Sequence, residues 1–345
     1  MRHWRRVGVC ILTVLCIVYL LTKVGHKLTK AITKESAPSY RVTPEINGLR
    51  PYNQSDSNKQ PTEIQAPSLL QNGSASTKLQ TRTGAVDHYR SLLDDQPVTL
   101  HCASCALVSS SGFLLGKEAG QDIDKHPCVI RMNMAPVEGY EKDVGTRTTL
   151  RVLNFFTGVK ASKLPPGSRV MIWGLYEHKA DLKRVLGMLK NLRPNVIIHG
   201  QTVEGERKAG ELFTKETGHP LKTNDSWLST GWFTMMIALD LCDKLHVYGM
   251  VPAEYCVNKP KVDFPYHYYK STSSKECATY NVSETRRGAH RFITEKAVFA
   301  RWAARYNITF HYPEWTIQRD KLSDELDTPF VNKYKLNSKS LAKKA

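Results

Sequence analysis

Two histidines have the chemistry for proton transfer near neutral pH. His290 precedes Glu295 by five residues, and His267 sits in the run Pro265-Tyr-His-Tyr-Tyr269. Imidazole is the side chain whose ordinary pKa lies nearest neutrality, so it can take a proton from a hydroxyl group. At a helix start the dipole disfavours its charged form and keeps it basic. Glu295 lies more than one helical turn from His290. It can orient the imidazole only if the helix begins after His290. The plainer alternative for each is a structural histidine.

Small residues mark two further places. Ser109-Ser110-Ser111-Gly112 follows the apolar run Cys105-Ala-Leu-Val108, and Ser229-Thr230-Gly231 precedes a long apolar stretch. Ser229 or Thr230 is a natural helix N-cap. A helix start with exposed N–H groups also favours anions, although plain capping accounts for most such serines. Neither turn is GxGxxG or a P-loop, so neither a dinucleotide site nor an NTPase follows. Asp122-Ile-Asp124 has the D-x-D form that can hold a divalent metal near a diphosphate. Its polar, helical surroundings suit a solvated face equally well. Cys102-x-x-Cys105 allows redox or zinc chemistry, but no second CxxC accompanies it.

The elements that must position these residues alternate in type. Short β-branched runs at Cys105–Ser109, Cys128–Arg131, Leu150–Phe155, Arg169–Trp173, Val196–His199, Leu245–Tyr248 and Ile308–His311 read as strands. Helical patterns at Ala180–Asn191, Glu204–Lys215, Gly231–Cys242 and Phe292–Arg305 lie between or after them. Such alternation predicts an α/β fold around a mostly parallel sheet.

The chain of 345 residues carries a net charge of +17, a usual footprint of nucleic-acid binding. The charge sits at the ends. Residues 1–34 hold seven Lys and Arg without an acid, and residues 331–345 hold five Lys without an acid, leaving +5 for the body. The body shows no basic cluster interleaved with aromatics, so no nucleic-acid partner is expected.

At the N-terminus, residues 1–6 form a basic head. Residues 7–22 are then free of charge over 16 positions, about 24 Å as a helix. No small-residue cleavage site follows, which favours an uncleaved signal anchor over a signal peptide. Residues 23–96 read as a polar, proline-bearing stem, 97–318 as the folded domain, and 319–345 as a basic, disordered tail. Sequons at Asn53, Asn72, Asn224, Asn281 and Asn307 fit a lumenal, glycosylated chain. So does the even count of six cysteines beyond residue 100, which can pair fully in an oxidising lumen.

Taken together and in order, these pieces resemble the animal sialyltransferases. The block from Cys105 to Gly112, Ile123-Asp124, Arg131-Met-Asn133-Met-Ala-Pro136 and Gly139 to Thr149 looks like the family's long donor motif. Leu228-Ser-Thr-Gly231 through Cys242 to Gly249 looks like its short motif. Tyr266-His267-Tyr268-Tyr269 and His290-x4-Glu295 look like the third and very short motifs. The resemblance is greatest to the subgroup that adds α2,6-linked sialic acid to N-acetylgalactosamine, in the branch acting on α2,3-sialylated Galβ1,3GalNAc.

That resemblance implies a GT-A-like fold with a Rossmann-type sheet, and CMP-N-acetylneuraminic acid as donor. It implies inversion at the anomeric centre and no cofactor or divalent metal, so Asp122 and Asp124 are not expected as ligands. The acceptor would be a sialylated ganglioside or O-glycoprotein, and the place a Golgi membrane with the catalytic domain in the lumen. Carried over by position, Ser110, Ser111, Asn133, Ser229, Thr230 and Gly231 would bind the donor. His267 would stabilise the departing phosphate and His290 would be the general base. Cys105 and Cys242 would form a disulfide, leaving three pairings open for Cys102, Cys128, Cys256 and Cys277. One departure stands out: the family's Gly-Asn-Ser-Gly turn is Ser109-Ser110-Ser111-Gly112 here, which places the shorter serine where the asparagine reaches the donor. Residues 156–226 hold no readable motif, and acceptor choice is expected partly there. The alternative function is a catalytically inactive Golgi glycan-binding or scaffold protein of the same fold.

Overall fold

The structure, a computed structural model, describes residues 82–334 apart from 159–162, 177–186, 188–195, 222–225, 259–261, 271, 273, 287–288 and 318–324. The expected anchor, Asn53, Asn72, Asn224 and all but Gly187 of the helix expected at Ala180–Asn191 lie outside the described residues. Among the described residues no helix is long and apolar enough to cross a membrane.

Among the described residues eight strands form one sheet: β1 (Tyr89–Ser91), β2 (Cys102–Val108), β3 (Cys128–Met132), β4 (Leu150–Asn154), β5 (Arg169–Trp173), β6 (Ile197–Gln201), β7 (Cys242–Tyr248) and β8 (Ile308–His311). Their order is β1-β6-β5-β4-β3-β2-β7-β8. All pairs are parallel except β1 with β6. The inner strands read as continuous apolar runs because helices cover them. From β2 the chain winds outward through β3 to β6, then returns so that β7 pairs on β2's other side. That reversal opens a crevice at the carboxyl ends of β2 and β7, the usual ligand position in such sheets.

Among the described residues four longer helices accompany the sheet: α1 (Val203–Thr217), α2 (Thr230–Leu241), α3 (Glu276–Thr285) and α4 (Phe292–Arg305). Thr202 caps α1 by accepting from Gly205 N at 3.1 Å, and Gly218, at φ 73°, ends it. Helix α2 is buried from Trp232 to Leu241, as expected of a helix apolar on every side. Its Phe233 stacks on Trp173 of β5 at 4.3 Å. Its Trp232 meets Phe213 of α1 and Phe299 and Trp302 of α4. Each of these large side chains contributes about 1.5–3 kcal/mol through burial.

The folded body extends beyond both sequence-assigned ends. Ala85, Val86 and Tyr89 are buried, and β1 pairs with β6, so the sheet draws on residues assigned to the stem. Leu326, Phe330 and Val331 are also buried, with 329–334 helical, so the tail boundary at 319 is too early. In both places too few apolar residues are clustered to show as a pattern.

Three disulfides pair Cys102 with Cys128, Cys105 with Cys242 and Cys256 with Cys277. The sulfurs of Cys102, Cys105 and Cys128 lie within 4.8 Å of one another. All three are bonded, so none remains as a thiolate for zinc or redox chemistry.

Candidate active site

The carboxyl ends of the central strands deliver most of the site. Ser109, Ser110 and Ser111 follow β2, Asn133 follows β3, Asn154 ends β4, and Gly249 and Met250 follow β7. The start of α2 adds Ser229, Thr230 and Gly231, and the C-terminal third adds His267 and His290. All of them line one cavity of about 260 Å³. The eight donor-site and catalytic positions expected from sequence are therefore brought together from five separate segments.

His290 is anchored by the segment that leads into α2. Its Nδ1 is 3.0 Å from the carbonyl oxygen of Trp227. A carbonyl only accepts, so Nδ1 carries the proton and Nε2 carries the basic lone pair. Helix α4 begins at Phe292, after His290, which meets the geometric condition on Glu295. Glu295 nevertheless does not orient this imidazole. It turns to α2, accepting from Ser229 N at 2.9 Å and from the Ser229 hydroxyl. A backbone carbonyl has taken the orienting role.

His267 is fixed by the serine turn. Its Nδ1 lies 3.1 Å from Ser110 Oγ, and the next residue's N–H donates to Ser110 O at 2.9 Å. Burial, helped by nearby Lys270, pushes its pKa down to about 4. The imidazole is thus neutral before an anion arrives, and a phosphate beside it would favour its charged form.

Two of the residues expected to bind the donor also bond within the protein. Ser111 Oγ accepts from Phe113 N at 3.0 Å and donates to Glu276. Ser229 Oγ accepts from Trp232 N at 3.1 Å and donates to Glu295. Both hydroxyls are engaged by buried carboxylates and cap the helices they begin. They shape the site, and Ser110, Thr230 and Gly231 line it beside them. The Ser229 cap satisfies Trp232 N, while the first N–H groups of α2, on Thr230 and Gly231, have no intrahelical partner. Asn133, in the left-handed region at φ 48°, donates to Thr230 Oγ1 at 3.4 Å. It accepts from Asn154 N and Thr157 Oγ1 at 3.1 and 2.9 Å.

Gly112 permits the first turn. Its N–H donates to Pro265 O at 2.8 Å, and a Cβ there would lie 2.6 Å from that oxygen. The backbone of the His267 loop therefore sits directly on the turn after β2.

The D-x-D carboxylates lie away from this cavity. Asp122 pairs with Lys125 at 2.7 Å on the surface. Asp124 accepts from Thr146 N, Thr146 Oγ1 and Arg147 N at 2.7, 2.8 and 3.1 Å, which fastens the loop before β4. Asn281 and Asn307 are both exposed, as attachment of a glycan requires.

Sequence reasoning missed the cavity's buried charges. Glu276 and Lys296 line it together with Glu295 and Tyr280. Burial raises the pKa of Glu276 and pushes that of Glu295 up to about 7. Glu276 is 165 residues from its partner Ser111, and nothing local marks it.

The family model of glycosyltransferase family 29 (sialyltransferase) matches residues 53–305. This chain belongs to glycosyltransferase family 29. Among its sialyltransferase relatives, the human alpha-N-acetylgalactosaminide alpha-2,6-sialyltransferase 6 is 41% identical over 244 residues, covering 67% of this chain and 73% of that protein. The human alpha-N-acetyl-neuraminyl-2,3-beta-galactosyl-1,3-N-acetyl-galactosaminide alpha-2,6-sialyltransferase is 41% identical over 245 residues, or 66% and 80% of the two chains. A crystal structure of a mammalian sialyltransferase is similar at 20% identity over 61% of this chain and 68% of its own, with a TM-score of 0.41. The cavity described above lies within the mostly parallel α/β body.

Proposed function

We propose that this sialyltransferase moves sialic acid from CMP-sialic acid to the 6-hydroxyl of N-acetylgalactosamine in α2,3-sialylated Galβ1,3GalNAc, on gangliosides or O-glycoproteins. One observation carries the reading: eight residues from five separate segments line a single cavity, with one of the two histidines anchored so that Nε2 is its basic atom. His290 Nε2 takes the proton as the acceptor O6 bonds to the anomeric carbon. The bond from that carbon to the phosphate oxygen breaks, and CMP leaves from the opposite face, inverting the centre. His267 and the N–H groups at the start of α2 meet the charge gathering on the phosphate. CMP is a monophosphate leaving group, so these donors suffice and no divalent metal is needed. The reacting sugar passes through an oxocarbenium-like state.

The similarity of the two human relatives supports the choice of acceptor. The same reading makes the fold GT-A-like and places the chain in the Golgi membrane. Residues 7–22 would be the single type II anchor, followed by a stem and a lumenal catalytic body. The decisive assay is transfer from CMP-sialic acid to paired asialo and α2,3-sialylated acceptors, with and without EDTA. Transfer to the sialylated members, unchanged by EDTA, is expected. Loss in EDTA would return Asp122 and Asp124 to consideration. Failure with every acceptor would favour an inactive glycan-binding protein of the same fold.

A further inference from the structure

One cation is built into the wall of the cavity. Lys296 belongs to the face of α4 formed by Phe292, Glu295, Lys296 and Phe299, all of which line the cavity. It is the one Lys or Arg among the described lining residues. Only 6% of it is exposed. Its Nζ donates to Tyr280 OH at 3.2 Å and lies 4.4 Å from the centre of that ring. An ammonium has three N–H donors, and among the described residues Tyr280 is its one hydrogen-bond partner.

The neighbouring acids do not complete its shell. Glu276 spends its two oxygens on Ser111 Oγ and, at 2.6 Å, on Tyr280 OH. Glu295 spends its oxygens on Ser229. Both favour the charge of Lys296 from a distance, as does Glu284, while burial opposes it. A buried ammonium with unmet donors is costly, and a ligand oxyanion at this point would supply a charge-assisted hydrogen bond.

We propose that Lys296 is a substrate-contacting residue whose ammonium takes an oxyanion of the bound sugar nucleotide, either its phosphate or its sialic acid carboxylate. The assignment rests on the donor reading above. It adds a fixed positive charge to a cavity otherwise lined by two carboxylates and two imidazoles. Thr230 and Gly231 at the start of α2 and Lys296 on α4 would then hold the anion from two helices.

The test uses the full-length chain. Lys296→Met and Lys296→Gln are compared with the parent for donor KM, for kcat, and for calorimetric binding of CMP and cytidine. Loss of a charged hydrogen bond should raise donor KM about 10- to 100-fold, with a smaller change in kcat. If the contact is the phosphate, the preference for CMP over cytidine collapses in both variants. If it is the carboxylate, CMP binds as in the parent while donor KM still rises. Either pattern supports the proposal. Donor KM within about twofold of the parent would overturn it. So would an equal loss for donor, CMP and cytidine, which marks a merely structural lysine. Lys296→Gln can still donate to Tyr280 and decides the matter if Lys296→Met does not fold. A parent chain that transfers no sialic acid would instead refute the underlying function.

Discussion

The molecule holds two groups of histidines, and they are wired differently. On the sheet face away from α2, His126, His246 and His311 contact one another, with ring centres 4.4 and 5.2 Å apart. His126 bonds Ser104 Oγ at 2.8 Å and Tyr248 OH at 3.0 Å, and His246 Nδ1 meets His311 Nε2 at 3.0 Å. In the cavity, His267 and His290 are each fixed through Nδ1, one by a serine hydroxyl and one by a backbone carbonyl. Burial lowers the pKa of His246 and of His267 alike, each to about 4. A shifted pKa therefore does not separate the groups. The separating feature is position: His267 and His290 line the cavity between the start of α2 and α4, whereas the other three bond to one another, to Ser104 and to Tyr248 on the opposite face of the sheet.

The largest test of that contrast is His290→Ala. Turnover should fall about 10²- to 10⁴-fold while CMP affinity persists, as single-turnover rates and calorimetry would show. His126→Gln and His246→Gln should leave turnover within about twofold. Equal losses in both groups would dissolve the distinction.

Glu295→Ala probes the second layer of the cavity. It removes the acceptor for Ser229 N–H and should cost about 1–3 kcal/mol in chemical denaturation. Glu295→Gln sharpens the point through pH. Burial raises this carboxyl to about 7, so its contribution is fullest below its unfolded value and is lost as pH rises through 7. In Glu295→Gln the melting temperature should lose that part of its decline.

His246 carries the opposite sign. Its depressed pKa means the unfolded chain binds the proton first on acidification. Stability is present above about pH 6.5 and is lost as pH falls toward 4. Melting curves of His246→Gln should decline less over that window than those of the parent. The smallest effect belongs to Asp122→Ala. It removes only an exposed pair with Lys125 and should change stability by no more than about 0.5 kcal/mol.

Much of this was legible in the sequence because it was local. Each of the seven expected strands lies within two or three residues of an observed one, since β-branched runs bounded by turns are a local signal. The site positions were legible as a set of motifs. What the sequence hid was long-range. Helix α3, Glu-Cys-Ala-Thr-Tyr-Asn-Val-Ser-Glu-Thr, has no clear apolar period, yet it supplies Glu276 to the cavity. Strand β1 has only three residues and exists because β6 offers an edge. The orienting partner of His290 is a backbone carbonyl 63 residues away, and every residue has a carbonyl. Ser111 and Ser229 are legible as cavity residues, but their carboxylate partners are not. Their engagement by Glu276 and Glu295 depends on chain crossings that no spacing rule encodes.

The reversal of strand order at β2 also governs how the site comes into being. One edge of β2 is completed by β3 soon after it is made, whereas the other waits for β7. The Cys105–Cys242 link closes a span of 137 residues. At ordinary synthesis rates, that wait is on the order of ten seconds. During it a central, apolar strand behaves as an open edge with an unpaired thiol, the condition in which wrong partners are found. A ribosome stalled before Cys242 would release a chain with one wall of the cavity missing and β2 still exposed. The strand that carries Ser109, Ser110 and Ser111 into the cavity is thus the one that waits longest for its second neighbour.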